Sequence, residues 1–183
     1  MSFLNERAFT VIELMIVLAI AGILSTMALE GHKALLTRYQ IQGVSRLLLS
    51  DLRTVQQQSL ITRRRHGVDF DPDRGGYSVW MAGAATGEDS AERLMRQVKL
   101  PPPVRFGAAP GVKGPPSDPE EITEPDGITF RDNRLVFMPG GGLGTGAGAI
   151  YLTQDPQGQR THAITVTVSG HVRLYQWTGS DWR

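Results

Sequence analysis

The sequence predicts an α+β protein, one long N-terminal helix followed by a run of short strands, and two observations carry this. From Phe9 to beyond Ser59, apolar residues first run almost unbroken and then recur at steps of three and four, the spacing of a helix. After Gly67 the period drops to two, and clusters of Gly, Pro and Asp punctuate short segments, the pattern of strands and hairpins. A chain of 183 residues has room for one domain beside such a helix.

The helix opens in residues 9–29, FTVIELMIVLAIAGILSTMAL, which carry a single charge, Glu13. About 20 apolar residues at ~1.5 Å rise cross a ~30 Å hydrocarbon core, so this segment is expected to span a membrane. A carboxylate at that depth is costly and marks a functional site. The eight residues before it, MSFLNERA, do not form a secretory signal, because the small residue Ala8 precedes the apolar core instead of following it. Cleavage after Ala8 would remove only this polar leader. The freed amino group of Phe9 would then lie four residues from Glu13, one turn away or within reach of a neighbouring copy. A buried charge persists when paired, and that amine is a fitting partner.

At Ala8-Phe9-Thr10-Val11-Ile12-Glu13-Leu14 the chain resembles the type IV pilin and pseudopilin superfamily. The resemblance implies that residues 1–8 are a prepilin leader, removed between Ala8 and Phe9 by a prepilin peptidase, and that Phe9 is N-methylated. It also implies that Glu13 meets the N-terminus of an adjacent pilin or pseudopilin subunit during assembly on an inner-membrane platform. Ala8 stands where the family usually has Gly, and the apolar helix has no proline kink.

Beyond Leu29 the helix continues amphipathically through residues 30–66. Ile41, Val44, Leu48, Leu52, Val55 and Ser59 form the stripe expected to pack on a sheet, with Arg46, Asp51, Arg53 and Gln57 largely off it. The helix is expected to stop near Arg63-Arg64-Arg65-His66-Gly67, where cations favour the dipole and Gly67 supplies the C-cap. Seven Lys/Arg against two acids fall between Glu30 and Arg65, while residues 66–183 carry a net −3. By the positive-inside rule Lys33 and Arg38 draw this side toward the cytoplasm. The processing motif requires the opposite, with the leader inside and the domain outside. The expectation follows the motif: a single-pass protein of the bacterial inner membrane whose C-terminal domain is periplasmic.

Residues 67–183 are expected to form the β domain. Val68 and Phe70, a turn at Asp71-Pro72-Asp73-Arg74-Gly75-Gly76, and Tyr77 to Trp80 read as a hairpin. A short strand over residues 94–100 follows. Residues 101–127 hold eight of the eleven prolines and read as a mobile loop. Strands are expected at Ile128-Thr129-Phe130, Leu135-Val136-Phe137, Ala149 to Thr153, Ala163 to Val168 and His171 to Trp177. Ile164, Val166 and Val168 should share one face of their strand. From Phe137-x-Pro139-Gly140 through Ile150-Tyr151-Leu152 and Ile164-Thr165-Val166 to Gly170-His171-Val172-Arg173, this half resembles the GspH/FimT family of minor pseudopilins and pilins. The fold it implies is pilin-like, a long helix packed on a small antiparallel β-sandwich.

Enzyme chemistry finds no footing. The Gly-rich stretch 140–148 lacks a following Lys-Ser/Thr and a helix start. Asp69-x-Asp71-x-Asp73 opens like a Ca²⁺ loop but has Arg74 sixth and Trp80 twelfth. His32, His66, His162 and His171 have no spacing for a shared metal, there is no cysteine, and no Gly-x-Ser-x-Gly elbow occurs. Neither a cofactor nor a metal is expected. The run Arg63-Arg64-Arg65 reads first as a helix end, with contact to an acidic partner, lipid or nucleic acid as alternatives. On the last strand His171, Arg173, Tyr175 and Trp177 share one face, cations beside aromatics, which suits a nucleic-acid backbone with stacked bases. Some members of the resembled family bind DNA through a Gly-Arg-x-Arg element at this place; here a histidine replaces the first arginine. The expected function is that of a minor pseudopilin of a type II secretion pseudopilus or related type IV pilus, with a DNA-binding minor pilin as the alternative.

Overall fold

The computed structural model describes residues 10–83, 91–108, 111–116, 122, 124–154 and 160–183, and of residues 26–38 the backbone alone. Helix α1 (Val11–Thr62) enters two compact units, Met1–Arg38 and Tyr39–Arg183. In the first unit the helix begins at a cap. The Glu13 N–H donates to Thr10 Oγ1 at 3.3 Å and the Leu14 N–H to the Thr10 carbonyl at 3.1 Å, satisfying donors that a helix start leaves open. From Val11 to Ser25 every side chain is exposed. Of the expected span 9–29, Phe9 and the side chains beyond Ser25 fall outside the described residues. Among the described residues no helix is long and apolar enough to cross a membrane.

The second unit wraps a single main core around the rest of α1. Ile41, Val44, Leu48, Leu52, Val55 and Ser59 are all buried, as the stripe required. Two antiparallel sheets enclose them. The first has the order β3-β2-β1-β5, with β1 His66–Asp71, β2 Gly76–Met81, β3 Arg93–Lys99 and β5 Arg134–Phe137. The second has the order β4-β6-β7-β8, with β4 Arg105–Phe106, β6 Gly148–Thr153, β7 Thr161–Val166 and β8 Val172–Gln176. Alternation along each strand sends Val68, Phe70, Tyr77 and Leu135 from the first sheet, and Ile150, Leu152, Ile164 and Val172 from the second, into one cluster with the helix stripe. On the outer face of the second sheet, Ala149, Tyr151 and Ala163 form a smaller cluster under Ala108, Ile122, Tyr175 and Trp182.

Several expectations meet corrections. The helix stops at Thr62 with Arg63 left-handed at φ 52°, and its last turn holds no cation. Gly67 is therefore no C-cap. It lies inside β1 opposite Trp80, where an added Cβ would stand 2.6 Å from the Leu135 carbonyl oxygen and collide with the Trp80 ring. Ile128-Thr129-Phe130 is not a strand; only an isolated bridge joins Ile128 to Ile150. The proline-rich stretch 101–127 contains β4, paired with β6, and buries Val104, Phe106 and Val112. β7 ends at Val166, and the turn at Thr167–Gly170, closed by a 2.8 Å Gly170-to-Thr167 bond, leaves Val168 exposed.

Candidate functional site

The residues expected to carry assembly lie at the start of α1. Ala8 and Phe9, the expected cleavage and methylation positions, fall outside the described residues. Glu13 is described: it is exposed in the first helical turn, where the macrodipole favours a carboxylate. Around it Val11, Ile12, Leu14, Met15 and Ile16 are each more than half exposed. Glu13 is the one ionisable side chain between Thr10 and Ser25. The signal that marks Thr10 is local: Thr10-Val11-Ile12-Glu13 has the S/T-x-x-E spacing of a capping box.

In the second unit, among the described residues, three side chains of α1 make polar contacts with the β domain. Asp51, expected largely off the apolar stripe, is 8% exposed. It accepts 2.7 Å from the Tyr77 hydroxyl on β2 and 2.8 Å from an Arg96 guanidinium nitrogen on β3. Burial, reinforced by the bond to Asp51, raises the Tyr77 hydroxyl well above the usual phenol range while Arg96 opposes this, so the phenol stays protonated as donor. Toward the second sheet, Ser45 Oγ donates to the Ile41 carbonyl at 2.8 Å and stands 2.8 Å from His162 Nδ1. With its own proton spent, Ser45 Oγ accepts from a neutral His162, whose pKa burial lowers to about 4. Finally, Gln56 Nε2 donates to the Gly141 carbonyl at 2.8 Å. No sequence signal marks the Ser45–His162 pair, since its members are 117 residues apart.

Gly170, the first residue of the Gly-His-x-Arg element, sits against this third contact. Its φ is +85°, and a Cβ there would collide with the Gly141 carbonyl oxygen and Gln56 Nε2. The turn it makes delivers His171 and Arg173 to the surface, both exposed. A cleft of about 290 Å³ puts His171 near Arg53 and Gln57 of α1. The rings of the same face are less free. Tyr175 packs on the outer cluster of the second sheet, and Trp177 lies 5.3 Å from Trp182, centroid to centroid. Trp182 is held in turn by a 2.8 Å bond to the Lys113 carbonyl.

The Asp69–Asp73 turn is occupied by structural bonds. Asp69 accepts 2.9 Å from the Trp80 indole and pairs with Arg134 at 3.1 Å, while Arg134 stacks 4.2 Å over the Trp80 ring and also binds Glu92. Asp71 accepts from the Arg74 N–H at 3.0 Å. Among the described residues no group of His, Asp or Glu side chains could hold a metal ion.

Comparison with known proteins follows the same division of the chain. Residues 4–29 match the prokaryotic N-terminal methylation motif. No curated protein sequence matches the chain. Among solved structures the chain is similar to the minor pseudopilin EpsH from the type 2 secretion system of Vibrio cholerae, at TM-score 0.52 and 12% identity over 74% of this chain and 95% of that one. It is also similar to the type IV minor pilin FimU of Pseudomonas aeruginosa, at TM-score 0.51 and 12% identity over 75% of this chain and 89% of that one. At such identity these likenesses show a shared pilin-like fold. Residues 44–170, more than half of the chain, match the family described as type II transport protein GspH, and the chain belongs to that family.

Proposed function

We propose that the protein is a minor pseudopilin, a structural subunit of a type II secretion pseudopilus or a closely related type IV pilus. Its leader, residues 1–8, is removed by prepilin peptidase and Phe9 is methylated. Residues 9–29 anchor it once through the bacterial inner membrane, with the β domain periplasmic, until the assembly platform draws that helix into a fibre. One observation supports this above the others: residues 11–25 of α1 expose apolar side chains on all sides and carry one carboxylate, Glu13, inside a matched N-terminal methylation motif.

In this reading Glu13 pairs with the amino terminus of a neighbouring subunit, and the apolar side chains around it are covered by other pilin helices. Truncating one partner of a buried ion pair typically costs ~3–5 kcal/mol, enough to exclude a subunit from the fibre. Intact mass of the membrane form tests the processing step. The expected mass lacks residues 1–8 and carries one added methyl group; a chain retaining Met1 contradicts the reading.

The DNA-binding alternative has narrower support. Of the four residues that share its face, His171 and Arg173 are exposed, whereas the aromatic pair is engaged in packing.

A further inference from the structure

The solvent side of α1 beyond Tyr39 is basic without compensation. Arg46, Arg53, Arg63, Arg64 and Arg65 in and just after this part of the helix are all exposed. Among the described residues none of them has an ion-pair partner. The one acid between Tyr39 and Arg65 is Asp51, which is buried toward the first sheet and already bound by Tyr77 and Arg96. Acids three or four residues away commonly neutralise a helix cation. Around Arg53 those positions hold Leu49, Ser50, Gln56 and Gln57, so its charge awaits a partner from outside the chain.

Arg53 also stands in a formed cleft. With Gln57 it lines one wall of the 290 Å³ opening, and His171 and Val172, after the turn between β7 and β8, line the other. That far wall is fixed. The His171 N–H donates to Thr167 Oγ1 at 3.1 Å, and its carbonyl accepts from the Thr167 N–H at 3.0 Å. Gly170 closes on the helix so tightly that a Cβ there would strike Gln56 Nε2. Gln56 is itself committed to the Gly141 carbonyl. The side-chain groups left to a ligand are the Arg53 guanidinium, the Gln57 amide and the His171 imidazole.

These groups select an anion and its kind. A guanidinium offers parallel N–H donors that match the oxygens of a carboxylate or a phosphate. Arg53 is the one fixed positive charge in the lining, and a single carboxylate balances it. A nucleic-acid backbone instead needs cations along its track. Residues 66–183 carry a net −3, which repels a polyanion, and the β8 rings that stacked bases would need are engaged in packing. The volume lies just below the roughly 300–1,000 Å³ of small-molecule sites and suits one acidic side chain brought by a protein.

We infer that this cleft receives the carboxylate of an aspartate or glutamate on an adjacent fibre subunit, paired with the Arg53 guanidinium and hydrogen-bonded by Gln57 and His171. The inference rests on the assembly reading above and adds to Glu13 a second charged contact between subunits. The test places the photo-crosslinker p-benzoyl-phenylalanine in the full chain at Ser50, an exposed position one turn before Arg53 and outside the cleft lining. Sheared fibres are photolysed and the adduct is mapped by mass spectrometry. Expected is an adduct on a neighbouring subunit beside an aspartate or glutamate. Adding Arg53→Glu should lower its yield about ten-fold, because like charges then face each other, while the chain's melting temperature stays at the parental value. Reversing the neighbour's acid to arginine should restore the yield in the Arg53→Glu background. No adduct, an adduct with no acid beside it, an adduct on nucleic acid, a yield indifferent to Arg53→Glu or a failed restoration would each overturn the inference. With the parent chain present in the fibres, any of these fails the inference alone; absence of the parent chain from them fails the assembly reading and the inference together.

Discussion

The Tyr77 hydroxyl on β2 donates to Asp51 on α1 at 2.7 Å, and Arg96 on β3 reaches the other oxygen of the same carboxylate. An acid on the buried side of a helix would oppose packing if unpaired. Paired from two strands, it fixes how the helix rotates and slides against the first sheet. The members differ in exposure: the Asp51 side chain is 11% exposed and that of Arg96 51%.

That difference ranks three substitutions. Asp51→Ala strands the buried Tyr77 hydroxyl and should cost about 2–3 kcal/mol. Tyr77→Phe removes one bond but leaves the carboxylate its arginine, and should cost about 1–2 kcal/mol. Arg96→Ala acts on a half-solvated pair and should cost no more than ~1 kcal/mol. Urea unfolding of the three variants in detergent would check the order.

His162 sets a pH dependence. Its folded pKa, lowered to about 4 by burial, lies below the ordinary value of 6.5. Between these values the unfolded chain binds the proton and the folded one does not. Its contribution is therefore full above pH ~6.5, falls as pH drops, and is exhausted near pH 4. The total is at most ~3 kcal/mol. His162→Gln should lose less stability than the parent between pH 7 and 4.5, as measured by thermal melting at both values.

Gly170→Ala should destabilise by about 1–3 kcal/mol from the left-handed backbone alone. The methyl also displaces Gln56 from the Gly141 carbonyl. Gln56→Ala, which breaks the same tie and leaves the turn at rest, should cost about 1 kcal/mol. Differential scanning calorimetry of the pair separates turn strain from the lost bond.

Periodicity made much of this fold legible. The stripe from Ile41 to Ser59 and the β1–β2 hairpin follow from spacing, because a buried face imposes period 3.6 or 2; β7 keeps Ile164 and Val166 on its core face but ends before Val168. What escaped depended on long-range partners. Residues 105–106 become a strand only because β6 lies alongside. Asp51 reads as a surface acid until Tyr77 and Arg96 arrive, and Ser45 finds His162 from the far end of the chain. From spacing Gly67 reads as a helix stop, since Gly commonly is one, whereas the Trp80 ring and the Leu135 carbonyl are what demand a glycine there. Of the candidate assembly site, Glu13 is legible as a charge in an apolar run, whereas the Thr10 cap beside it shows in the bond from the Glu13 N–H to Thr10 Oγ1.

That cap shapes the most direct test of the assembly account. A glutamine at position 13 serves a helix start as glutamate does, yet it has no charge to offer an amino terminus. The decisive measurement is the amount of Glu13→Gln protein in sheared, purified fibres relative to the amount in the membrane. The account predicts normal membrane levels with near absence from fibres, whereas incorporation at the parental level would contradict it.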